Sequence, residues 1–347
     1  MFRWGIMGSG FISSEFAKGI ANTEGMQVQA VASVSGKNTF GIQAKRYYRD
    51  YEALAEAADI DGIYVGTIHP LHLPCVRLCL EAGKPVLCEK PIAINSRELS
   101  EMVTLAREKK VFFMEAMWSR YLPAVRYVRE LLQEETYGKI QYMHVTFGGC
   151  VPESNRRIHE AALGGGALLD VGVYGINLAD FWLSGEYMRR RPQKADGFGR
   201  EPVGIHSWAQ KNTENVDLTT NAQLVYTGKD ERSALVDMTC SIRHSLPNSA
   251  YIVTDKAEFY VPYFWRPDTV LGYKSNQGFQ VEREFLRQTF PVEGNGYQYE
   301  ALEAKKCIEA GLLESQDMTW QDSMQVMKIM DTIRKQCGIE YPQDVQA

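Results

Sequence analysis

The chain has 347 residues, a formal net charge of −5, and 45% hydrophobic and 23% charged residues. That length suits two domains, because single cores stop growing near roughly 250–300 residues. The acidic balance excludes a general pull toward nucleic acid, and the one dense basic run, Arg189-Arg190-Arg191 before Pro192, reads as a solvated loop. No apolar run approaches the ~20 residues of a membrane span, so no membrane is expected as a partner. The opening residues, Met1 to Met7, enter a strand pattern at once and lack the regions of a secretory signal. Seven cysteines, mostly in apolar periodic segments and with no C-x-x-C pair, read as reduced core thiols of a cytoplasmic protein, with no metal site.

Over residues 1–118 short apolar runs alternate with helical spacing. The strands are Trp4 to Met7, Val28 to Val34, Gly62 to Gly66, Pro85 to Cys88 and Val111 to Met114; helices fall at Ile12 to Ala21, Leu73 to Ala82 and Ser96 to Lys109, with Ser96 as N-cap. That rhythm predicts βαβ units and a doubly wound parallel α/β sheet. The first strand runs into Gly8-Ser9-Gly10-Phe11-Ile12-Ser13, a dinucleotide turn with serine in the third glycine's place. Gly8 permits the tight turn, Gly10 lets the backbone approach a pyrophosphate, and the helix start offers free N–H donors.

The second strand ends in Ser33-Val34-Ser35-Gly36-Lys37 with no carboxylate to meet an adenosine ribose. Hydroxyls and a lysine there favour NADP over NAD, although Lys37 could equally begin an exposed helix. Thr67, His69 and His72 follow the third strand and are expected to line the nicotinamide side, with packing or capping the more usual duty of a histidine at a helix start. The fourth strand ends in Glu89-Lys90-Pro91. A charged pair at the carboxyl end of a buried parallel strand points into the ligand crevice.

Beyond residue 118 the pattern changes. A helix is expected at Pro123 to Gln133, then longer alternating runs at Ile140 to Phe147, Asn221 to Tyr226, Ser233 to Ile242, Tyr251 to Thr254 and Glu258 to Val261. These predict an open mixed or antiparallel sheet, and helical spacing at Leu168 to Leu183, Tyr297 to Leu313 and Trp320 to Gln336 makes residues 119–347 an α+β domain. The glycine run Gly164-Gly165-Gly166 enters the first of those helices, where Asp170 and Tyr174 share a face. On these residues alone, an acid near a helix start and a core tyrosine would serve as well.

Taken together, Gly8 to Ile12, Glu89-Lys90-Pro91, Gly164 to Tyr174 and the run from Gly296-Tyr297-Gln298-Tyr299-Glu300 to Ile333 resemble the Gfo/Idh/MocA family over essentially the whole chain. Phe113 to Pro123 and Gly165 to Tyr174 look most like its dimeric dihydrodiol dehydrogenase and NADP-dependent xylose dehydrogenase branch. The resemblance implies an N-terminal Rossmann domain, a nicotinamide cofactor, a catalytic group of Lys90, Asp170 and Tyr174, a cis Lys90–Pro91 bond and a homodimer. Many relatives carry histidine where this chain has Tyr174, which counts against an inositol-type activity.

Oxidising a secondary alcohol requires removal of the hydroxyl proton as hydride leaves for the nicotinamide. A phenol of unperturbed pKa near 10 is a poor base, but an ammonium such as Lys90 favours phenolate. Tyr174 would then carry the proton, Lys90 stabilise the alkoxide and Asp170 hold a substrate hydroxyl; Lys90 as proton carrier is the alternative. Trp118, Arg157, Phe264 and Trp265 are candidates for the substrate wall. Three functions are compatible: a dehydrogenase for a sugar, polyol or cyclic diol, an internal redox enzyme with tightly held cofactor, and a cofactor-sensing regulatory protein.

Overall fold

A computed structural model describes residues 1–183, 201–228, 232–275 and 283–345; the basic run 189–191 lies outside the described residues. Two compact units divide the chain, Met1–Tyr121 with Val292–Met324, and Leu122–Pro291 with Gln325–Ala347.

In the first unit β1 (Phe2–Met7) leads through α1 (Phe11–Ala21) to β2 (Met26–Ala32), β3 (Arg46–Tyr48), α2 (Tyr51–Ala55), β4 (Gly62–Val65), α3 (His72–Glu81), β5 (Val86–Glu89), α4 (Ser96–Lys109) and β6 (Phe113–Ala116). The six strands form one sheet in the order β3-β2-β1-β4-β5-β6, every neighbouring pair parallel. Every residue of β4, β5 and β6 is buried, as expected for parallel strands covered on both faces, and this explains why they read as apolar runs and not as alternation. Strand order reverses between β1 and β4, which opens the ligand crevice at their carboxyl ends.

Some boundaries move. Strand β2 stops at Ala32, short of the expected Val34, and the chain turns through Gly36. The N-cap of α4 is Asn95, whose side chain accepts from the Glu98 N–H, so Ser96 is the first helical residue and not the cap. The three-residue edge strand β3 was not anticipated.

In the second unit α5 (Pro123–Leu131) precedes β7 (Ile140–Gly148), α6 (Arg156–His159) and α7 (Val173–Leu183), followed by β8 (Gly204–Lys211), β9 (Asp217–Thr227), β10 (Ser233–Ser241), β11 (Ser249–Thr254), β12 (Ala257–Pro262), β13 (Thr269–Lys274) and β14 (Glu284–Thr289). Their sheet runs β14-β13-β12-β11-β7-β10-β9-β8; β7 and β10 pair in parallel and the other neighbours antiparallel. Ala234, Val236, Met238 and Cys240 of β10 are buried, and Leu235, Asp237 and Thr239 between them face the other way, half-exposed. An 18-residue window of the 23-residue segment Ala161–Leu183 has mean hydropathy 1.3, which corrects the expectation that no run has the length and composition of a span. Because 72% of it is buried within the fold, it is a core segment.

The chain then returns to the first unit, with α8 (Tyr297–Glu309) and the start of α9 (Trp320–Cys337). Residues 292–324 are bound there by Phe113 N–H to Leu313 O (3.0 Å), Trp320 Nε1 to Phe113 O (2.8 Å), Ser323 Oγ to the buried Glu115 (2.7 Å) and Asn295 Nδ2 to Glu15 O (2.7 Å). The sequence boundary at 118 thus compares with a division at 121 and a second crossing that no local pattern marks.

Candidate active site

Strand β1 delivers Gly8 with φ of +93°, and a Cβ there would stand 2.7 Å from the Gly66 carbonyl oxygen, so only glycine fits this turn. Gly10, the N-cap of α1, has ordinary backbone angles (φ −76°, ψ −177°) and a Cβ on it would meet no protein atom within 4 Å. The fold leaves open space at Gly10, and α1 has no side-chain cap. Uncapped first-turn N–H groups beside an empty approach fit a pyrophosphate. Ser13, in the third glycine's place, is buried and donates to the Gly66 carbonyl at 3.3 Å. The close helix–strand contact is therefore kept, with the glycine on β4's side.

At the end of β2 the hydroxyls converge. Ser9 Oγ donates to Lys37 O (2.6 Å) and lies 3.0 Å from Ser33 Oγ, and Ser33 and Ser35 hydroxyls are 3.2 Å apart. Two residues that sequence reasoning missed complete this corner. The Arg49 guanidinium lies beside Gly36, its carbon 3.7 Å from where a Cβ would stand. Phe11 and Phe40, both exposed, meet edge to face at 5.9 Å. Arg49 follows a strand that the sequence did not reveal, so no signal pointed to it.

Glu89, Lys90 and Pro91 end β5, and the Lys90–Pro91 bond is cis. Lys90 is half-buried at the rim, whereas Glu89 is buried, accepting from Tyr64 Oη at 2.6 Å and from the Lys90 N–H at 3.1 Å. Burial pushes the Glu89 carboxyl up to about 7 against the opposing pull of the Lys90 ammonium. His72 is wholly buried between the Pro91 carbonyl (Nδ1, 3.0 Å) and the Thr67 carbonyl (Nε2, 3.2 Å), and burial lowers its pKa to about 4. It pins the turn that carries Lys90, which replaces the ligand-lining role expected of its side chain. The His69 ring lies 5.7 Å from that of His72 and is nearly buried.

In the second unit, Leu168–Gly172 is a π-helical turn that runs directly into α7. Such turns insert an extra residue into a helix and are frequent at functional sites. Asp170 lies in the π turn and Tyr174 at the start of α7. Arg157 Nη1 donates to Asp170 Oδ1 at 3.1 Å, so the arginine expected on substrate holds the acid. Tyr174 packs at 5.5 Å from Phe147, on which Trp265 stacks at 5.3 Å, forming a partly exposed aromatic wall. Two expected wall residues belong to cores instead: Phe264 is fully buried, and Trp118 is buried against Tyr297 in a stack at 4.6 Å.

The π turn has an anchor that sequence reasoning missed. Asp217, buried at the start of β9, accepts from the Leu168 N–H and from Thr220 Oγ1, both at 2.7 Å. Gly166 makes this possible with φ of +123°, since a Cβ there would stand 2.3 Å from Asp217 Oδ1. Tyr341 Oη closes the same corner on the Gly165 carbonyl at 2.6 Å.

Comparison with known proteins gives the family and the fold. Residues 2–117 match the family model for the GFO/IDH/MocA oxidoreductases with an NAD-binding Rossmann fold, and residues 125–260 match the GFO/IDH/MocA C-terminal domain. Among curated proteins the chain is 36% identical to a trans-1,2-dihydrobenzene-1,2-diol dehydrogenase of Xenopus laevis over 98% of this chain and 99% of that one. It is 35% identical to the enzyme of the same name from Danio rerio over 99% of both. Among solved structures, the 3-ketoreductase KijD10 of Actinomadura kijaniata with NADP and TDP-benzene shares the fold, with a TM-score of 0.78 and 22% identity over 97% of this chain and 98% of that one. The chain belongs to the Gfo/Idh/MocA family of NAD(P)-binding oxidoreductases.

Proposed function

We propose that this oxidoreductase is an NADP-dependent dehydrogenase acting on a secondary alcohol of a trans-dihydrodiol or a sugar, with Lys90, Asp170 and Tyr174 serving one reaction. The observation that carries the reading is the complete set itself, Lys90 at the cis turn of β5 and an Arg157-held Asp170 four residues before Tyr174, in a chain 36% identical end to end to a named dihydrodiol dehydrogenase. Gly8, Gly10 and the first turn of α1 would hold the pyrophosphate. Ser9, Ser33, Ser35, Lys37 and Arg49 would hold the 2′-phosphate, and Phe11 and Phe40 would flank the adenine. The bound nicotinamide supplies the hydride acceptor. Tyr174 takes the hydroxyl proton, the Lys90 charge stabilises the developing alkoxide, and Asp170 fixes a neighbouring hydroxyl.

Growth of NADPH absorbance with trans-1,2-dihydrobenzene-1,2-diol or an aldose is the expected result. Product without net absorbance change would mean internal redox, and cofactor binding with no turnover on a diol and sugar panel would mean a sensing protein.

We also infer a homodimer formed through the half-exposed face of the second sheet, which carries Tyr142, Leu235, Val253 and Tyr260 and, on its edge strand β8, the exposed Trp208. An apolar sheet face of this kind calls for a partner. Light scattering should report a dimer at micromolar concentration; a monomer would refute it. Seven free cysteines support a cytoplasmic setting.

A further inference from the structure

Beside Glu89, the residue before Lys90, lies a second buried acid that nothing in the reaction so far uses. Glu300, in the first turns of α8, is 0% exposed, and neither of its carboxylate oxygens has a hydrogen-bond partner. A buried charge without partners is among the costliest arrangements in a protein. Among the described residues no cation or other donor contacts its carboxylate. Tyr64 on β4, Glu89 with Cys88 and Lys90 at the end of β5, Glu115 on β6 and Tyr297 on α8 are the titratable and charged groups around the Glu89–Glu300 pair. Lys90 is the one cation among them, and its charge acts on Glu89. Tyr64, stacked at 3.8 Å on Phe16, spends its hydroxyl on Glu89 and leaves nothing for Glu300.

Two carboxyls in one dry pocket cannot both ionise at neutral pH, as their mutual repulsion and desolvation oppose the second charge. Burial and the Glu89 charge both push Glu300 well above the usual carboxyl range, and of the two only Glu89 has donors, Tyr64 Oη and the Lys90 N–H, to hold a negative charge. We propose that, once Glu89 has ionised above neutral pH, Glu300 keeps its proton, and that Glu300 is thereby a positioning residue that keeps a single negative charge at the turn carrying Lys90. Ionisation of Glu300 in alkali would place a second negative charge beside Glu89 and change the field at the turn that carries Lys90. The inference rests on Lys90 being part of the reacting group.

Infrared spectra of the NADP-loaded enzyme test the proton directly and without turnover. Above pH 7, where Glu89 has ionised, a protonated carboxylic C=O band is expected that is diminished in Glu300→Gln and kept in Glu89→Gln. The pH profile of kcat tests its consequence: the alkaline limb of Glu300→Gln should shift by about one pH unit or more, the scale on which a neighbouring carboxylate acts. Absence of the band from the wild-type spectrum, an undiminished band in Glu300→Gln, or superimposable pH profiles would overturn the proposal. If no diol or sugar is turned over by any form, the reading of Lys90 falls while the band still decides the state of Glu300.

Discussion

At the scale of single residues the open question is which group carries the proton. Tyr174→Phe keeps the ring against Phe147 and removes only the hydroxyl, so packing should survive. If the phenol is the acid–base, kcat should fall by about 10²-fold or more with cofactor affinity nearly unchanged, the usual scale of general catalysis. Lys90→Met should lower the rate and move the pH profile together, because it removes the charge that stabilises the oxyanion. Steady-state kinetics across pH decides the matter: near-normal turnover in Tyr174→Phe would give the proton to Lys90. A second residue-scale expectation concerns Arg49. Arg49→Ala should weaken NADP by about tenfold or more, the worth of a charge-assisted hydrogen bond, and leave NAD unaffected. Calorimetry with both cofactors measures the contrast, and equal losses would remove Arg49 from the 2′-phosphate corner.

At the scale of elements, the π turn that leads into α7 is held from outside itself. Asp217→Ala would strip the acceptor from the buried Leu168 N–H and Thr220 hydroxyl, which should cost about 2–3 kcal/mol of stability and loosen the turn carrying Asp170. Chemical denaturation and kcat should therefore fall together; unchanged values would show that water or Tyr341 suffices. The same contact shows the reach of sequence reasoning here. The glycine turn, the Lys90 turn and Asp170–Tyr174 were legible because each is local: a strand or helix pattern adjoins the chemistry within a few residues. Asp217 acts across 49 positions on Leu168, and Arg49 follows a three-residue edge strand too short for any period to register. Glu300 reads as an ordinary acid in the first turns of a helix, and only the packing of α8 into the first unit buries it. The parallel sheet was legible in its apolar runs, whereas the return of residues 292–324 was not, since it depends on long-range bonds such as Trp320 Nε1 to Phe113 O.

At the scale of the whole molecule, the buried acids and the surface acids pull stability in opposite directions along the pH axis. Asp59, Asp61 and Glu160 are held below the ordinary carboxyl range, Asp59 chiefly by Gln29 with Arg46, the others by Arg3 and Arg156. The stability they add is present above their unfolded values and lost on acidification through their folded ones. Glu89 behaves inversely. Its folded pKa, about 7, lies above the unfolded 4.5, so the stability tied to its protonated form is complete below 4.5 and lost as pH rises through about 7. A shift of that size corresponds to about 3 kcal/mol. Glu300, also raised well above the usual carboxyl range, adds a loss of the same sign as pH rises. Melting temperature should consequently decline above neutrality, and Glu300→Gln, which cannot ionise, should decline less, with the two curves diverging as pH rises from about 7 to 9. Calorimetric scans of both proteins across that range make the comparison; parallel curves would mean that Glu300 is already ionised at neutral pH and that its burial is compensated by a group other than a proton.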